Sequence, residues 1–348
     1  MKALIVFTSI RVTDNFAKYA SNFSKYQHDP DIIVVDEDAD NRKVVQKQLN
    51  DFKVDFYGMQ ERASWFNSHK MSGYKSVLPA QAHNENSFAL LIALERADYD
   101  MIVFVDDDTY PVDCADFLGT HWKALNTKSL MRRSNGGCWV NTHPQYYARG
   151  FPYNQRRIKS TWGLPNLYDC TVLNMGCWLG IPDLNAVDYL ALNPFWVNQL
   201  NIEAFTVAPK NYAPVCSMNV AFRPEIIPAY YQLWHRDRYD DIFSGLLLKT
   251  VADHLKKGLS VGEPLCVHDK EPRDYFHDLE TELPSMRLNE ELYKALLDIH
   301  LTEKTWLSCY RELTLQLKQK AKHLSPHYIT VLSDKMLQWC ELVEKVML

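Results

Sequence analysis

At 348 residues the chain suits one large α/β domain or two smaller ones. Its hydrophobic fraction of 47%, with 12% aromatics, is ample for a core. The 38 basic and 43 acidic residues give a net charge of −5 and are scattered, so no basic stripe marks a nucleic-acid or anionic-membrane partner.

The opening run Ala3-Leu4-Ile5-Val6-Phe7 is too short for a signal-peptide core and soon meets Arg11 and Asp14. No stretch is long enough to cross a bilayer. Eight cysteines lie between Cys114 and Cys340 without paired metal spacing, most among apolar neighbours, as reduced cysteines do. These features predict a soluble, cytoplasmic protein without a transmembrane segment. There is no internal repeat.

In chain order, Ala3–Phe7 reads as a first strand, and Thr8 to Arg11 as the loop at its end. Residues 13–26 read as an amphipathic helix with Phe16, Tyr19, Ala20 and Phe23 on one face. Ile32–Val35 is a second strand running into Asp36, Glu37 and Asp38. Residues 40–51 are polar and helical, and Val54–Tyr57 is a short strand. Residues 60–83 lack periodicity and read as a loop. Asn84 or Asn86 is expected to cap a helix through Ala97. The order β-α-β-α predicts an α/β, doubly wound, mostly parallel sheet over about the first 110 residues. The middle, 130–230, suggests a mixed sheet with short pieces such as Cys138–Val140 and Met218–Phe222. Residues 239–257 resume helical spacing. After Pro284 the pattern is helical to the end, with Leu292, Ala295, Leu296 and Ile299 as one stripe and Leu332, Met336, Trp339 and Leu342 as another.

The chemistry concentrates where the apolar run Met101 to Val105 meets Asp106, Asp107 and Asp108. Such a run suits a strand buried on both faces, and acids at its end lie where open α/β sheets bind ligands. Three adjacent carboxylates repel one another, and a divalent cation would relieve that repulsion. In an extended chain Asp106 and Asp108 point to one side and Asp107 to the other. That is the pattern of a metal-bridged Asp-x-Asp site; an acidic loop is the plain alternative.

The strand and its aspartates resemble the nucleotide-sugar glycosyltransferases of the GT-A fold. Further segments narrow the resemblance: Arg149-Gly150-Phe151-Pro152-Tyr153, Gly176 to Asp183, Met218 to Phe222, Arg238-Tyr239-Asp240-Asp241, Ala252 to Leu255, Gly262-Glu263-Pro264 and His268. In this order and spacing they are similar to the reversibly glycosylated polypeptides of plants, the UDP-arabinopyranose mutases. The chain departs from that pattern at Glu37, where the plants carry glycine, and at Asn185, where they carry aspartate. It also lacks the acidic residue that follows their second arginine.

The resemblance implies a GT-A-like domain over residues 1–285, with a nucleotide-binding half at 1–110 and a sugar or acceptor half at 111–285. A helical extension at 286–348 packs on it. It implies UDP-sugar as substrate and Mn²⁺ or Mg²⁺ as cofactor, held by Asp106, Asp108 and His268. Thr8, Arg11, Asp36, Asp38, Asn86 and Asp107 would contact the nucleotide. Arg149 matches an arginine that becomes reversibly glycosylated, and Arg156 a second functional arginine. Guanidinium is normally a poor nucleophile, so a carboxylate, Asp240 or Asp241, would have to take its proton. An electrostatic role for both arginines is the alternative, as is helix capping for the two aspartates. Arg149 sits in a Gly- and Pro-containing loop, so its removal is expected to leave stability nearly unchanged. The expected activity is pyranose–furanose interconversion of a UDP-sugar. Transfer to a carbohydrate acceptor and a non-catalytic scaffold role are the alternatives, and a homo-oligomer is left open.

Overall fold

Ala3 through Phe7 are all 3% exposed or less, as a continuous apolar run requires of a strand covered on both faces. The computed structural model describes residues 1–9, 13–36, 41–79, 85–192, 195–233, 238–270 and 273–348. Its first half is β1 (Ala3–Ser9), α1 (Asn15–Lys25), β2 (Asp31–Asp36), α2 (Arg42–Gln48), β3 (Val54–Tyr57), α3 (Met59–Ser68), α4 (Asn86–Arg96) and β4 (Met101–Asp106). Then come β5 (Thr109–Pro111), α5 (Phe117–Asn126), β6 (Met131–Ser134), β7 (Ser160–Leu164), β8 (Cys170–Gly180), α6 (Ala186–Ala191), β9 (Phe205–Val207) and β10 (Asn219–Phe222). The chain ends with α7 (Asp240–His254), β11 (Lys257–His268), α8 (Tyr275–Leu297), α9 (Trp306–Lys320) and α10 (Pro326–Met347).

One sheet runs through the molecule in the order β3-β2-β1-β4-β10-β8-β11-β9-β6-β7, with β5 added on β11. The expected α/β, doubly wound architecture is the one found. It is parallel from β3 to β4 and mixed beyond, where β10 runs antiparallel to both β4 and β8. The chain builds outward from β1 to β3, then returns to the other side of β1 with β4. That reversal opens a crevice at the carboxyl ends of β1 and β4. Register fixes what lines it: Thr8 lies opposite Asp106, and Ser9 opposite Asp36. The face of α1 expected from its spacing is buried, with Phe16 and Tyr19 packed on the Phe7 ring at 4.8 and 5.4 Å.

Four local expectations are corrected. Residues 59–68 form α3, followed by a 3-10 turn at 72–77, where a loop was expected. This helix has no apolar stripe; it is held by Glu61 accepting from the Gly58 N–H at 3.1 Å and by the buried Trp65 and Phe66. Asn86 is the first residue of α4 and does not cap it; its Oδ1 accepts instead from the Thr8 hydroxyl. Asn84 lies outside the described residues. Cys138–Val140 forms no strand, only a single bridge from Trp139 to Tyr212.

The last correction concerns Pro284, which sits inside α8 and does not precede it. Asp274 starts that helix by accepting from the Phe276 and His277 N–H groups at 3.0 and 3.2 Å. Fully buried Glu282 then ties its middle to the sheet domain, accepting from the Ala186 N–H at 2.6 Å. These contacts override the proline, and α8 runs unbroken across residue 285. The C-terminal stripe of Leu332, Met336, Trp339 and Leu342 is buried as its spacing predicts. Among the described residues no helix is long and apolar enough to cross a membrane, and all eight cysteines are free thiols.

Candidate active site

β4 ends at Asp106, and Asp107 and Asp108 then turn the chain into β5. The three acids therefore do not continue the alternation of an extended strand. Asp107 is buried, and its carbonyl accepts from Thr13 Oγ1 and Asn15 Nδ2, both at 3.0 Å. Asp108 faces His268 across the turn, Oδ2 to Nε2 at 3.5 Å. The Nδ1 of His268 lies 2.7 Å from the Ile181 carbonyl, so it carries a proton and Nε2 is the nitrogen turned to the carboxylate. Gly180 makes this approach possible. Its φ is +82°, and a Cβ there would stand 2.5 Å from the His268 carbonyl.

The carboxyl of Asp106 is pushed well above the usual range, first by burial and then by Asp108, Asp107 and Asp241, with Arg149 opposing. Four carboxylates thus crowd one crevice, and a cation there would relieve them. Among the described residues no three His, Cys, Asp or Glu side chains close into a metal cage. Asp108 and His268 are the two such side chains that meet where β4 turns into β5.

Arg149 and Asp241 come together as predicted, but in a buried setting. Arg149 is 7% exposed. Its Nη1 and Nη2 lie 3.0 and 2.9 Å from Oδ1 and Oδ2 of Asp241, and its Nε lies 2.7 Å from Asp183 Oδ2. Nη1 also donates to the Arg238 carbonyl, and Nη2 touches Cys216 Sγ at 3.4 Å. Gly150 lets this loop seat itself: φ is +84°, and a Cβ would meet Ile242 at 2.6 Å. The loop therefore rests on the first turn of α7, where Asp240 and Asp241 are buried. Arg238, just before that turn, holds a left-handed φ of 59°, a strained conformation of the kind that collects at functional sites. Burial lowers the pKa of Arg149, but Asp183 and Asp241 outweigh it and hold the guanidinium well above its ordinary value.

Asp183, Arg238 and Lys270 were given no role by sequence reasoning. Burial raises the carboxyl of Asp183, yet Arg149, Lys270 and Arg238 reverse this and hold it well below the usual range. Arg238 lies 3.6 Å from it and also pairs with Glu282, while Lys270 lies at 3.8 Å. Burial brings Lys270 down to about 8. Asp183 and Arg238 stood inside motifs already singled out, and Lys270 two residues past His268, but spacing says nothing about which charges face one another.

The remaining predicted residues lie apart from this cluster. Arg156 is clamped on Asp188 at 2.8 and 2.6 Å and stacks over the Tyr153 ring at 3.8 Å. Asn185 links the two arginine loops: its Oδ1 accepts from the Gly150 N–H and the Tyr239 hydroxyl, and its Nδ2 donates to the Tyr153 hydroxyl. Asp36 is buried at the end of β2, and its carboxylate is already engaged by Arg42, with two contacts of 3.2 Å. Thr8 and Asn86 meet at the crevice edge. Arg11 and Asp38 lie outside the described residues.

Residues 4–347 match the family described as Reversibly glycosylated polypeptide. The Probable UDP-arabinopyranose mutase 1 of Pisum sativum is 27% identical, over 98% of this chain and 90% of that protein. UDP-arabinopyranose mutase 2 of Arabidopsis thaliana is 32% identical, over 69% of this chain and 67% of that protein. Among solved structures, glucosyl-3-phosphoglycerate synthase from Mycobacterium tuberculosis, in complex with Mn²⁺, UDP and phosphoglyceric acid, aligns with 83% of this chain and 78% of its own. Identity is 13% and the TM-score 0.44, too loose a likeness to carry an argument.

Proposed function

This chain belongs to the family of reversibly glycosylated polypeptides, and from that premise we propose that it is a UDP-sugar mutase interconverting pyranose and furanose forms. UDP-arabinopyranose, the compound in the relatives' names, is the first substrate to test. The observation that carries this reading is the buried clasp of Arg149 between Asp183 and Asp241, within electrostatic reach of Asp106.

Asp106, Asp108 and His268 would hold the divalent cation, Mn²⁺ or Mg²⁺. The crowded carboxylates and the Nε2 of His268 turned to Asp108 fit such an ion. When bound, it neutralises charge gathering on the departing diphosphate. Arg149 starts as a fixed positive charge in a desolvated site, where it stabilises negative charge on the leaving group without reorganising. To take the sugar it must lose a proton. Asp241, in contact with both Nη atoms, is the base that accepts it. The Nη–anomeric carbon bond forms as the anomeric C–O bond to UDP breaks, and UDP leaves with the bonding electrons. The held sugar opens, recloses as the smaller ring, and returns to UDP by the reverse step. Asp183 keeps the guanidinium plane fixed throughout.

The test is to incubate the protein with Mn²⁺ and UDP-arabinopyranose, then resolve the nucleotide sugars chromatographically and weigh the intact protein. The expected result is UDP-arabinofuranose, plus one pentose on the wild type that is absent from Arg149→Lys. An unchanged nucleotide pool across a panel of UDP-sugars would overturn the reading.

A further inference from the structure

The Arg149 guanidinium carries five N–H groups, and each of them meets a partner. Nε–H donates to Asp183 Oδ2 at 2.7 Å. Nη1 donates to two oxygens, Asp241 Oδ1 at 3.0 Å and the carbonyl of Arg238. Nη2 donates to one oxygen, Asp241 Oδ2 at 2.9 Å, and to one sulfur, Cys216 Sγ at 3.4 Å. Four hydrogens therefore meet oxygen, and the fifth meets a thiol, a weak acceptor. Cys216 is held in that place. It is 3% exposed, its backbone N–H lies 3.3 Å from the Met175 sulfur, and its Sγ lies 3.7 Å from Asp183 Oδ2, a carboxylate that takes the thiol hydrogen. The next N–H, of Ser217, donates to Asp241 Oδ2 at 3.2 Å. Burial holds the thiol protonated, its pKa well above the ordinary value, so the sulfur does not become a strong anionic acceptor.

We propose that Nη2 is the nitrogen of Arg149 that takes the sugar, and that Cys216 is the positioning residue that leaves it able to do so. The inference rests on the mutase reading and names the reacting atom of that site. Asp241 Oδ2 takes one proton from Nη2. The freed Nη2 lone pair forms the bond to the anomeric carbon as the anomeric C–O bond breaks, and UDP departs with that electron pair. Nη2 keeps its other hydrogen, so the sugar-bearing guanidinium is again a cation and Asp241 is a neutral acid. At that stage only the N–H···S contact restrains Nη2, and it yields easily as the nitrogen moves onto the carbon. Nη1 in the same position would still be tied to the Arg238 carbonyl. That tie, with Asp183 on Nε, holds the rest of the planar fork still while one nitrogen moves.

The test exchanges the sulfur for an oxygen acceptor and for no acceptor. Full-length wild type, Cys216→Ser and Cys216→Ala are mixed with Mn²⁺ and UDP-arabinopyranose, and sugar addition to the protein is timed by rapid quenching and intact mass. UDP affinity with Mn²⁺ and the urea midpoint are measured on the same three proteins. A serine hydroxyl accepts the fifth N–H more strongly than sulfur, so Cys216→Ser should add the sugar about tenfold or more slowly than Cys216→Ala. UDP affinity should agree within about twofold across the three, since Cys216 acts on the chemical step. A sulfur that serves packing alone predicts the opposite order, because serine matches cysteine more closely in shape than alanine does. Equal rates in the two variants, or alanine slower than serine, would overturn the proposal and leave the mutase reading standing. A UDP affinity that falls in step with the rate would place Cys216 in binding and overturn it as well. Ring interconversion by the wild type with no adduct at any time would remove Arg149 as the nucleophile, and with it this proposal alone. UDP binding with neither interconversion nor adduct in the wild type rejects the mutase reading and the proposal together.

Discussion

The guanidinium of Arg149 meets the carboxylate of Asp241 in a two-to-two contact, Nη1 to Oδ1 at 3.0 Å and Nη2 to Oδ2 at 2.9 Å. Asp183 takes the third edge through Nε at 2.7 Å. The sequence led us to expect an arginine on a loop that could be removed without loss of stability. The structure corrects this, because all three groups are buried. Arg149→Ala would leave the buried Asp241 without its guanidinium and Asp183 with only the longer contacts to Arg238 and Lys270.

We therefore expect Arg149→Ala to lose about 3–5 kcal/mol of unfolding free energy, the usual cost of breaking a buried pair. Urea denaturation measures it. Arg149→Lys keeps the charge but loses the planar fork, so it should recover part of the stability and none of the turnover. A wild-type urea midpoint in Arg149→Ala would mean that the clasp does not form in solution.

How much of this was legible follows from which interactions are local. The sheet half was readable because β1, β2 and β4 are apolar runs covered on both faces. Their ends carry the loop and acid residues that the register then aligns. Arg149, Asp241 and His268 were readable as motif members. Their neighbours were not, because Asp183, Arg238 and Lys270 converge from three separated stretches of chain. The alternation expected for Asp106 to Asp108 failed because a turn, which has no period of two, begins one residue earlier than the pattern implied. Pro284 misled for a related reason: the buried contacts of Glu282 hold the helix where local preference would end it.

The C-terminal helices should unfold together with the sheet domain. Trp339 is fully buried, stacks on Tyr231 at 5.2 Å and donates Nε1–H to the Pro228 carbonyl at 3.2 Å. The helix α10 that carries it packs on α4. Trp339→Ala should cost about 3–5 kcal/mol. Trp339→Phe keeps the ring stack and loses the hydrogen bond, about 1 kcal/mol. Fluorescence and circular dichroism should give one coincident transition in wild type and variants. Two separated transitions would show that residues 286–348 form an independent unit.

Acid should destabilise the protein in part through His121. This buried imidazole bonds through Nε2 to Asn219 Oδ1 at 3.0 Å and through Nδ1 to Asn174 Nδ2 at 3.1 Å, a neutral arrangement. Burial pushes its pKa down from 6.5 to about 3, and His143 is pushed down in the same way. Between those values the unfolded chain binds more protons than the folded one. The stabilisation is full above the unfolded pKa and is lost as pH falls toward the folded one. The slope is about 1.4 kcal/mol per pH unit for each histidine. His121→Gln should therefore be less stable than wild type near neutrality, and the gap should narrow as the pH is lowered from about 7.5 to about 5. A gap that stays constant over that range in urea denaturation would reject this account.

His268 and Asp108 set the last expectation, which concerns the ion. The Ile181 carbonyl holds the Nδ1 proton of His268 and turns Nε2 to Asp108. A partner of this kind fixes the ring of a metal-ligating histidine, and its loss is typically felt in metal affinity. In calorimetry, UDP should bind the wild type with Mn²⁺ at least tenfold more tightly than after chelation of the ion by EDTA. In Asp108→Asn and in His268→Gln that difference should largely vanish. His268→Gln keeps a side chain long enough to bond the Ile181 carbonyl, so fold and metal binding can be separated. A ligand that binds only the folded state raises its stability with the logarithm of ligand concentration over Kd. Mn²⁺ with UDP should therefore raise the melting temperature of the wild type and leave both variants close to their ligand-free values. An equal rise in all three proteins would remove Asp108 and His268 from the metal site while leaving Arg149 and Asp241 untouched.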